Sequence, residues 1–284
     1  MGRFIEQGEF QNNYWGGARN IPPQGVGARE KIKKSGLFKP GVFDKTAFLP
    51  VSENRLLAAG LNEVLLGLAP YMESVTFRGN EYLYNPGDRI EYVYFPETAV
   101  VSEFQILEDG RTVEIAMTGR EGVVGFLPIL KACSLSNWTQ IFVPGRAYKL
   151  SFQVFEQEIA RSPRLRDGVF DYISRYIKQV SQRAVCNSYH TIEQRFCSWL
   201  LMVQERKGGS RLPLTQEQIA RALGVHRPSV THIAQHLRER KIIDYVRGKI
   251  IVCDSHRLEK TACGCFSEID ARLPAAAKSV GNVM

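Results

Sequence analysis

The stretch Leu214–Ile243 reads LTQEQIARALGVHRPSVTHIAQHLRERKII and constrains the fold more than any other part of the chain. Thr215, followed three residues later by Gln218, has the spacing of a capping box, which starts a helix just before Ile219, Ala220 and Leu223. Gly224 supplies the positive φ of a tight turn, and Val225 then points inward. His226 takes the N-cap of a second helix, Pro228 is tolerated in its first turn, and Val230, Ile233 and Leu237 form its buried stripe. Two helices sharing so small a core need a short, fixed hinge.

The outward face of the second helix separates a DNA-reading unit from an ordinary helical hairpin. Arg227, Ser229, Thr231, His232, Gln235 and Arg238 lie on it, and the first of them sit at the helix N-terminus, where a recognition helix meets base edges. A solvated face would interleave Glu and Lys, yet Glu239 is the only acid between Gln218 and Lys241. The following KIIDYVRGKIIVCD reads as two short strands around Arg247-Gly248-Lys249, a wing whose basic tip, with Arg247 and Lys249, suits phosphate contact. A winged helix-turn-helix is therefore expected.

Charge agrees with that reading. Of a formal net charge of +8, residues 207–260 carry an excess of six cationic over acidic side chains and four of the five histidines, and residues 1–50 an excess of four. A concentrated basic segment is the footprint of a nucleic-acid partner. At 284 residues and 44% hydrophobic, the chain can build about two domains with real cores. Apolar runs such as Val123–Leu130 fall short of the roughly 20 residues that span a bilayer. The start, MGRFIEQGEF, has no apolar signal core, so a cytoplasmic protein without membrane contact is expected. Cys133, Cys186, Cys197, Cys253, Cys263 and Cys265 are too sparse for a disulfide framework and fit a reducing compartment.

The rest of the chain divides by its periodicity. Residues 1–50, rich in Gly, Pro, Asn and Lys, read as a flexible arm. Leu57, Leu61, Val64, Leu65 and Leu68 mark one helix stopped by Pro70. Then come ESVTFRG, EYLYNPGD, EYVYFPET, AVVSEFQILEDG, RTVEIAMTG and TQIFVPGRAYKL, short segments rich in Val, Ile, Tyr and Phe and punctuated by turn residues. They predict an antiparallel β-roll or jelly roll, with Asp109-Gly110 as its strongest hairpin turn. From Pro163 to Asn187, Phe170, Ile173, Ile177, Val180 and Ala184 recur at three and four residues, a pattern either of a core helix or of a two-chain seam. Its place between a β module and a basic module favours the seam, with Ile173, Ile177, Val180 and Ala184 between two copies. The class is α+β: an arm (1–50), a β-roll sensor (51–155), a dimerisation helix region (156–190), a winged helix-turn-helix (191–265) and a C-terminal tail (266–284).

Together the helix-turn-helix stretch, RGKIIVCD, VYFPETAVVSEFQILEDGRTVEIAMTGREGVVG, VPGRAYKL and LEKTACGCF resemble the Crp/Fnr family of bacterial transcription regulators over roughly residues 51–265. The resemblance implies a homodimer on double-stranded DNA with a palindromic operator, RNA polymerase as a further partner, and a small-molecule effector of unknown identity. It also implies that Arg227, Ser229 and His232 read bases. The cyclic AMP receptor of that family has glutamate where Pro228 stands and arginine where His232 stands, so a different operator is expected. In cyclic AMP-binding relatives a glutamate holds the ribose hydroxyl and an arginine with a small hydroxyl residue holds the cyclic phosphate. Aligned on the glycines of EGVVGF, the glutamate position is Val123, and SLSNWTQIF offers Asn137, Trp138 and Thr139 but no arginine. Gly122, Val123, Val124, Gly125, Trp138 and Thr139 are the candidate effector pocket, and cyclic AMP is not the expected ligand. The alternative is a constitutive DNA-binding regulator with a vestigial, ligand-free sensor.

Catalysis is not expected. Residues 51–189 contain no histidine, which removes the usual metal site of a cupin-type jelly roll, and no Ser-His-Asp, P-loop or dinucleotide fingerprint is present. No cysteine precedes Cys133, unlike the iron–sulfur branch of the family, so Cys263 and Cys265 read as part of a docked tail. His190 reads as a surface or dimer-helix residue. No metal or cofactor is expected.

Overall fold

The structure, a computed structural model, describes residues 52–58, 64, 67–131 and 135–269. The expected arm, the tail from residue 270, Leu61, Leu65 and Cys133 lie outside the described residues. Of the first expected helix, α1 (Arg55–Ala58) and a 3-10 turn at Ala69–Tyr71 are described, with Pro70 inside the turn.

Among the described residues, seven strands build the β-roll: β1 (Glu73–Phe77), β2 (Tyr82–Tyr84), β3 (Tyr92–Pro96), β4 (Val100–Ile106), β5 (Thr112–Thr118), β6 (Trp138–Val143) and β7 (Gly145–Ser151). They pair antiparallel as two sheets, in the orders β1-β7-β3 and β2-β6-β4-β5. Alternation in β3 sends Val93 and Phe95 into the core, where Phe95 meets the edge of Phe155. The hairpin at Asp109-Gly110 forms as expected, with Gly110 at φ +83° and Ile106 paired with Thr112. The single segment TQIFVPGRAYKL contains two strands rather than one. Pro144 separates them, because it has no N–H to give a ladder.

Helices α2 (Phe152–Arg161) and α3 (Pro163–Tyr189) follow. The Ser162 side chain accepts from the Leu165 N–H at the start of α3, and Pro163 fills its first position. At 27 residues α3 is about 40 Å long. Leu165, Val169, Tyr172, Gln179, Arg183 and Cys186 are buried along its inner face. Phe170, Ile177 and Val185 are exposed on the other side, with Ala184.

Two of the expected seam residues turn toward their own chain. Ile173 is only 5% exposed and joins the core formed by Leu165, Val169 and Phe155 of its own chain, and Val180 is half-buried. A period of 3.6 residues turns Ile173 and Val180 toward the sheet, whereas Phe170, Ile177 and Ala184 share the outer face with Ser174 and Ser181.

The chain turns at His190 into α4 (Ile192–Lys207), whose start carries a complete capping box of Thr191 and Gln194. Then come β8 (Arg211–Leu212), α5 (Gln216–Leu223), α6 (Arg227–Glu239), β9 (Ile243–Val246), β10 (Lys249–Val252), α7 (Ser255–Thr261) and α8 (Cys265–Ile269). Strands β8, β10 and β9 form a three-stranded sheet in that order, one strand more than the sequence suggested. One core runs from Val100, Met117 and Phe142 of the β-roll through Trp199 and Leu200 of α4 to Leu237, Leu258 and Ile269. The β-roll and the helix-turn-helix are therefore packed on each other, and the C-terminal helices as far as Ile269 belong to the same body. No described helix is long and apolar enough to cross a membrane.

Candidate nucleic-acid interface

Local chemistry sets the geometry of the two central helices. In α5 the Thr215 hydroxyl accepts from the Gln218 N–H at 3.2 Å, and the Gln218 side chain accepts from the Thr215 N–H at 2.9 Å. Gly224 caps it at φ +64°, and Val225 N–H closes the turn onto Ala220 O at 3.0 Å. Helix α6 then begins with His226 at the N-cap and Pro228 in its first turn. Val230, Ala234 and Leu237 are buried, which holds the opposite face of α6 outward.

Arg227, Thr231, His232, Gln235 and Arg238 are all exposed on that face, and Ser229 is half-buried. Arg227, Pro228, Thr231, His232 and Gln235 line an open groove with Gln216 of α5. Thr231 Oγ1 donates to Gln216 Oε1 at 2.8 Å, so this hydroxyl fixes the two helices against each other. Gln235 donates to Glu239 Oε1 at 3.1 Å, and Arg238 pairs with Asp244 at the root of the wing at 3.1 Å. Arg227 and His232 thus form the outermost polar edge of α6. Arg247 and Gly248, at φ 27° and 72°, make the two-residue wing turn, beside exposed Lys249.

The sequence reading did not single out His236 and Arg240. They reach back to Glu193 of α4 at 3.1 and 3.6 Å, which steadies α6 from behind. It also missed how the β-roll grips α5. Thr112 Oγ1 donates to Arg221 O at 3.3 Å, Gln218 Nε2 to Asn80 Oδ1 at 3.4 Å, and the Arg221 guanidinium lies 5.9 Å from the Phe104 ring centroid.

Comparisons with known proteins agree with this geometry. Residues 194–261 match the Crp-like helix-turn-helix domain, and residues 74–162 match the cyclic nucleotide-binding domain. A global nitrogen regulator from Nostoc sp. is 26% identical over 211 residues, 71% of this chain and 94% of that protein. Among solved structures, FixK2 from Bradyrhizobium japonicum superposes with a TM-score of 0.59 at 17% identity, covering 68% of this chain and 98% of that one. A regulator of the Crp family from Thermus thermophilus gives 0.56 at 18% identity, covering 71% of this chain and all (100%) of the other. The chain is a Crp/Fnr-type DNA-binding transcription regulator. The family comprises regulators, not enzymes.

In this Crp/Fnr regulator the residues expected to line an effector pocket are closely covered. Gly122, Val123, Val124 and Gly125 are all buried, the first two against Tyr172 of α3 and its core, the last two against Tyr84 and Ile90 of the β-roll. A Cβ at Gly122 would stand 1.9 Å from the Tyr172 ring, so only glycine lets α3 come this close. Phe126 meets the edges of Tyr172 and Tyr176 at 5.7 and 5.1 Å between centroids. Tyr176 donates to Glu103 Oε2 at 2.8 Å, and Thr139, buried on β6, faces Glu103 across the strand pair. Burial pushes the Glu103 carboxyl above the usual carboxylate range, with hydrogen bonds from Tyr176 and Asn137 opposing it. Burial likewise pushes the Tyr172 and Tyr176 hydroxyls up, keeping them neutral. Trp138 is half-buried against Tyr82. The nearby carboxylate of Glu121 is taken by Arg206 of α4 at 3.0 Å, both nearly fully buried.

The fold also assembles residues that sequence reasoning left apart. Cys186 and His190 at the end of α3 meet Cys263 and Cys265 from the C-terminal helices, with all four ligand atoms within 4.8 Å of one another. The only signals in sequence are a helical i, i+4 spacing and a Cys-x-Cys.

Proposed function

We propose that the regulator acts as a homodimer on a palindromic operator, with α6 in the major groove. Arg227, Ser229 and His232 read bases, and Arg238, Arg247 and Lys249 engage phosphates. The observation that carries this reading is the exposed, acid-poor edge of α6 around Arg227 and His232, held outward by the buried Val230, Ala234 and Leu237. Thr231 and Gln235 act in the same groove, partly as struts. Selecting bound fragments from a random DNA pool with the purified protein tests the proposal. An inverted repeat with half-sites about 10 base pairs apart, or a multiple of that, is expected, and failure to enrich any sequence would overturn it.

Dimerisation uses the outer stripe of α3, where Phe170, Ile177 and Ala184 repeat every seven residues with Ser174 and Ser181 between them. Such a repeat of exposed apolar side chains on a long helix supports a two-chain seam. The stripe keeps Ile177 and Ala184 of the expected seam, gives Phe170 the place of Ile173, and leaves the half-buried Val180 on the side of its own chain.

The effector, where one acts, is not cyclic AMP. Val123 stands where a carboxylate would hold the ribose, and the neighbouring Glu121 is already paired with Arg206. A second reading, constitutive DNA binding with a ligand-free sensor, is favoured by the close packing of Tyr172 on Gly122 and of Tyr172 and Tyr176 on Phe126. Under either reading, the contacts of β5 and Phe104 with α5 are one route by which the sensor touches the DNA module.

A further inference from the structure

The inner side of α3, opposite the proposed seam, ends in a group of side chains that the DNA-binding reading does not use. Cys186 and His190 are four residues apart, one turn along α3, and so share a face. Helix α3 stops at His190, whose backbone is extended, and the chain bends into α4. Into this bend the C-terminal segment brings Cys263, just after α7, and Cys265, the first residue of α8. Cys186 Sγ lies 3.5 Å from Cys263 Sγ, and His190 Nδ1 lies 3.4 Å from Cys265 Sγ. The three cysteines are buried and the histidine is half-buried.

We propose that Cys186, His190, Cys263 and Cys265 bind one zinc ion through three thiolates and an imidazole nitrogen. A tetrahedral zinc with bonds of about 2.0–2.3 Å holds its ligand atoms about 3.5–3.8 Å apart. The two close pairs already stand near that separation, and the set is compact enough for a single ion with no room for a cluster of irons and sulfides. Three soft sulfurs and one imidazole are the donor set of structural zinc, and four protein ligands leave no open position for a substrate.

The surroundings are those of a thiolate site. Gln182 Nε2 donates to Cys265 Sγ at 3.1 Å, and Ser198 Oγ lies 3.0 Å from Cys263 Sγ, hydrogen-bonding groups of the kind that hold metal-bound sulfur in place. Zinc with three thiolates and a neutral imidazole carries one negative charge. Arg183 and Arg195 lie within electrostatic reach of Cys186, and each keeps a buried Nε without a hydrogen-bond partner among the described residues. Binding releases the thiol protons to solvent.

The ion would join the end of the proposed dimer helix to the helices beyond the wing, across the bend where α3 becomes α4. It would thereby hold the winged module at one angle to α3. A disulfide between Cys186 and Cys263 would tie the same elements but leave Cys265 and His190 without a purpose.

Full-length protein, purified without a histidine tag, is assayed by elemental analysis and reconstituted with cobalt(II) after chelation. One zinc per chain is expected, and the cobalt form should show thiolate charge transfer in the near ultraviolet with the intense visible bands of a tetrahedral site. Cys265→Ser and His190→Ala should lose the metal or bind it far more weakly, whereas Cys253→Ser, at an exposed cysteine, should keep it. Gln182→Leu should lower zinc affinity about 10–100-fold without abolishing it. The cobalt spectrum of the unmutated protein keeps the test decisive if a variant fails to fold. Absence of bound metal after reconstitution, an iron chromophore, metal retained by a Cys263→Ser/Cys265→Ser double variant, or a Cys186–Cys263 disulfide in the freshly purified protein would each overturn the proposal.

Discussion

Glu114 on β5 and Arg183 on α3 meet at 3.1 Å, with side chains only 2% and 6% exposed. The same carboxylate accepts from Trp199 Nε1 of α4 at 2.9 Å and from the Ser102 hydroxyl at 2.9 Å, while Arg183 also donates to Ala222 O of α5 at 3.4 Å. One ion pair therefore ties the sensor sheet, the long helix and the helix-turn-helix together. Burial pushes the Glu114 carboxyl up, and Arg183 opposes that shift. Removing either partner strands a buried charge. Glu114→Gln or Arg183→Met should each cost about 3–5 kcal/mol of unfolding free energy, whereas the double variant should cost much less than the sum. Additive losses in a denaturant-based double-mutant cycle would show that the two do not act as a pair.

At the proposed DNA face, Arg227→Ala should lose about 1–3 kcal/mol on the selected operator and almost nothing on random duplex. Arg247→Ala should weaken both alike and lower the slope of log affinity against log salt by about one. Fluorescence anisotropy at several salt concentrations measures both effects. Equal losses of Arg227→Ala on specific and random DNA would take α6 out of the base-reading role.

The two isoleucines of α3 should behave oppositely. Ile177 is 57% exposed and its side chain is not part of the chain's own core, so Ile177→Asp should leave a folded monomer that no longer dimerises. Ile173 is buried within its own chain, and Ile173→Asp should destabilise the fold by on the order of 4 kcal/mol or more. Sedimentation and thermal melts of the two variants separate these outcomes. A dimeric Ile177→Asp protein would move the seam elsewhere.

What could be read from the residues alone follows from how local the causes are. The capping box of Thr215 and Gln218, the left-handed Gly224 and the apolar stripe of α6 act within a few residues, so the helix-turn-helix was legible except that Ala234 is buried and Ile233 only half-buried. The β-roll was legible strand by strand except where one apolar segment ran through Pro144, and β8, only two residues long, leaves no period to detect. Ile173 misled because a three-and-four repeat does not say which flank of the stripe faces the sheet. Glu114 with Arg183, Glu121 with Arg206, and the cysteine–histidine group are brought together from distant parts of the chain. No spacing announces such meetings.

Cyclic AMP should not bind in the physiological range. On the proposed reading of Val123 and Thr139, a ribose carboxylate and a phosphate arginine are both missing, two charge-assisted contacts of about 1.5–3 kcal/mol each, enough to move a micromolar site toward millimolar. Calorimetric titration with cyclic AMP and cyclic GMP checks this, and micromolar binding of either would refute it.

Glu103 offers a pH test of how the sensor is packed. Its carboxyl is held above the ordinary carboxylate range by burial, so the native state favours the protonated form. The stability this contributes is complete below the ordinary carboxylate pKa and is lost as pH rises through the raised value. Glu103→Gln keeps an oxygen to accept from Tyr176 and has nothing to ionise. The variant should match the wild type in acid and exceed it near neutrality, with a flatter dependence of unfolding free energy on pH above the ordinary carboxylate range. Glu114, shifted in the same direction, remains in both proteins, so only the difference between the two curves reports on Glu103. Parallel curves in denaturant titrations across that range would mean that Glu103 is ionised and solvated, and that Tyr176 does not cover it as the packing of Tyr176 on Phe126 requires.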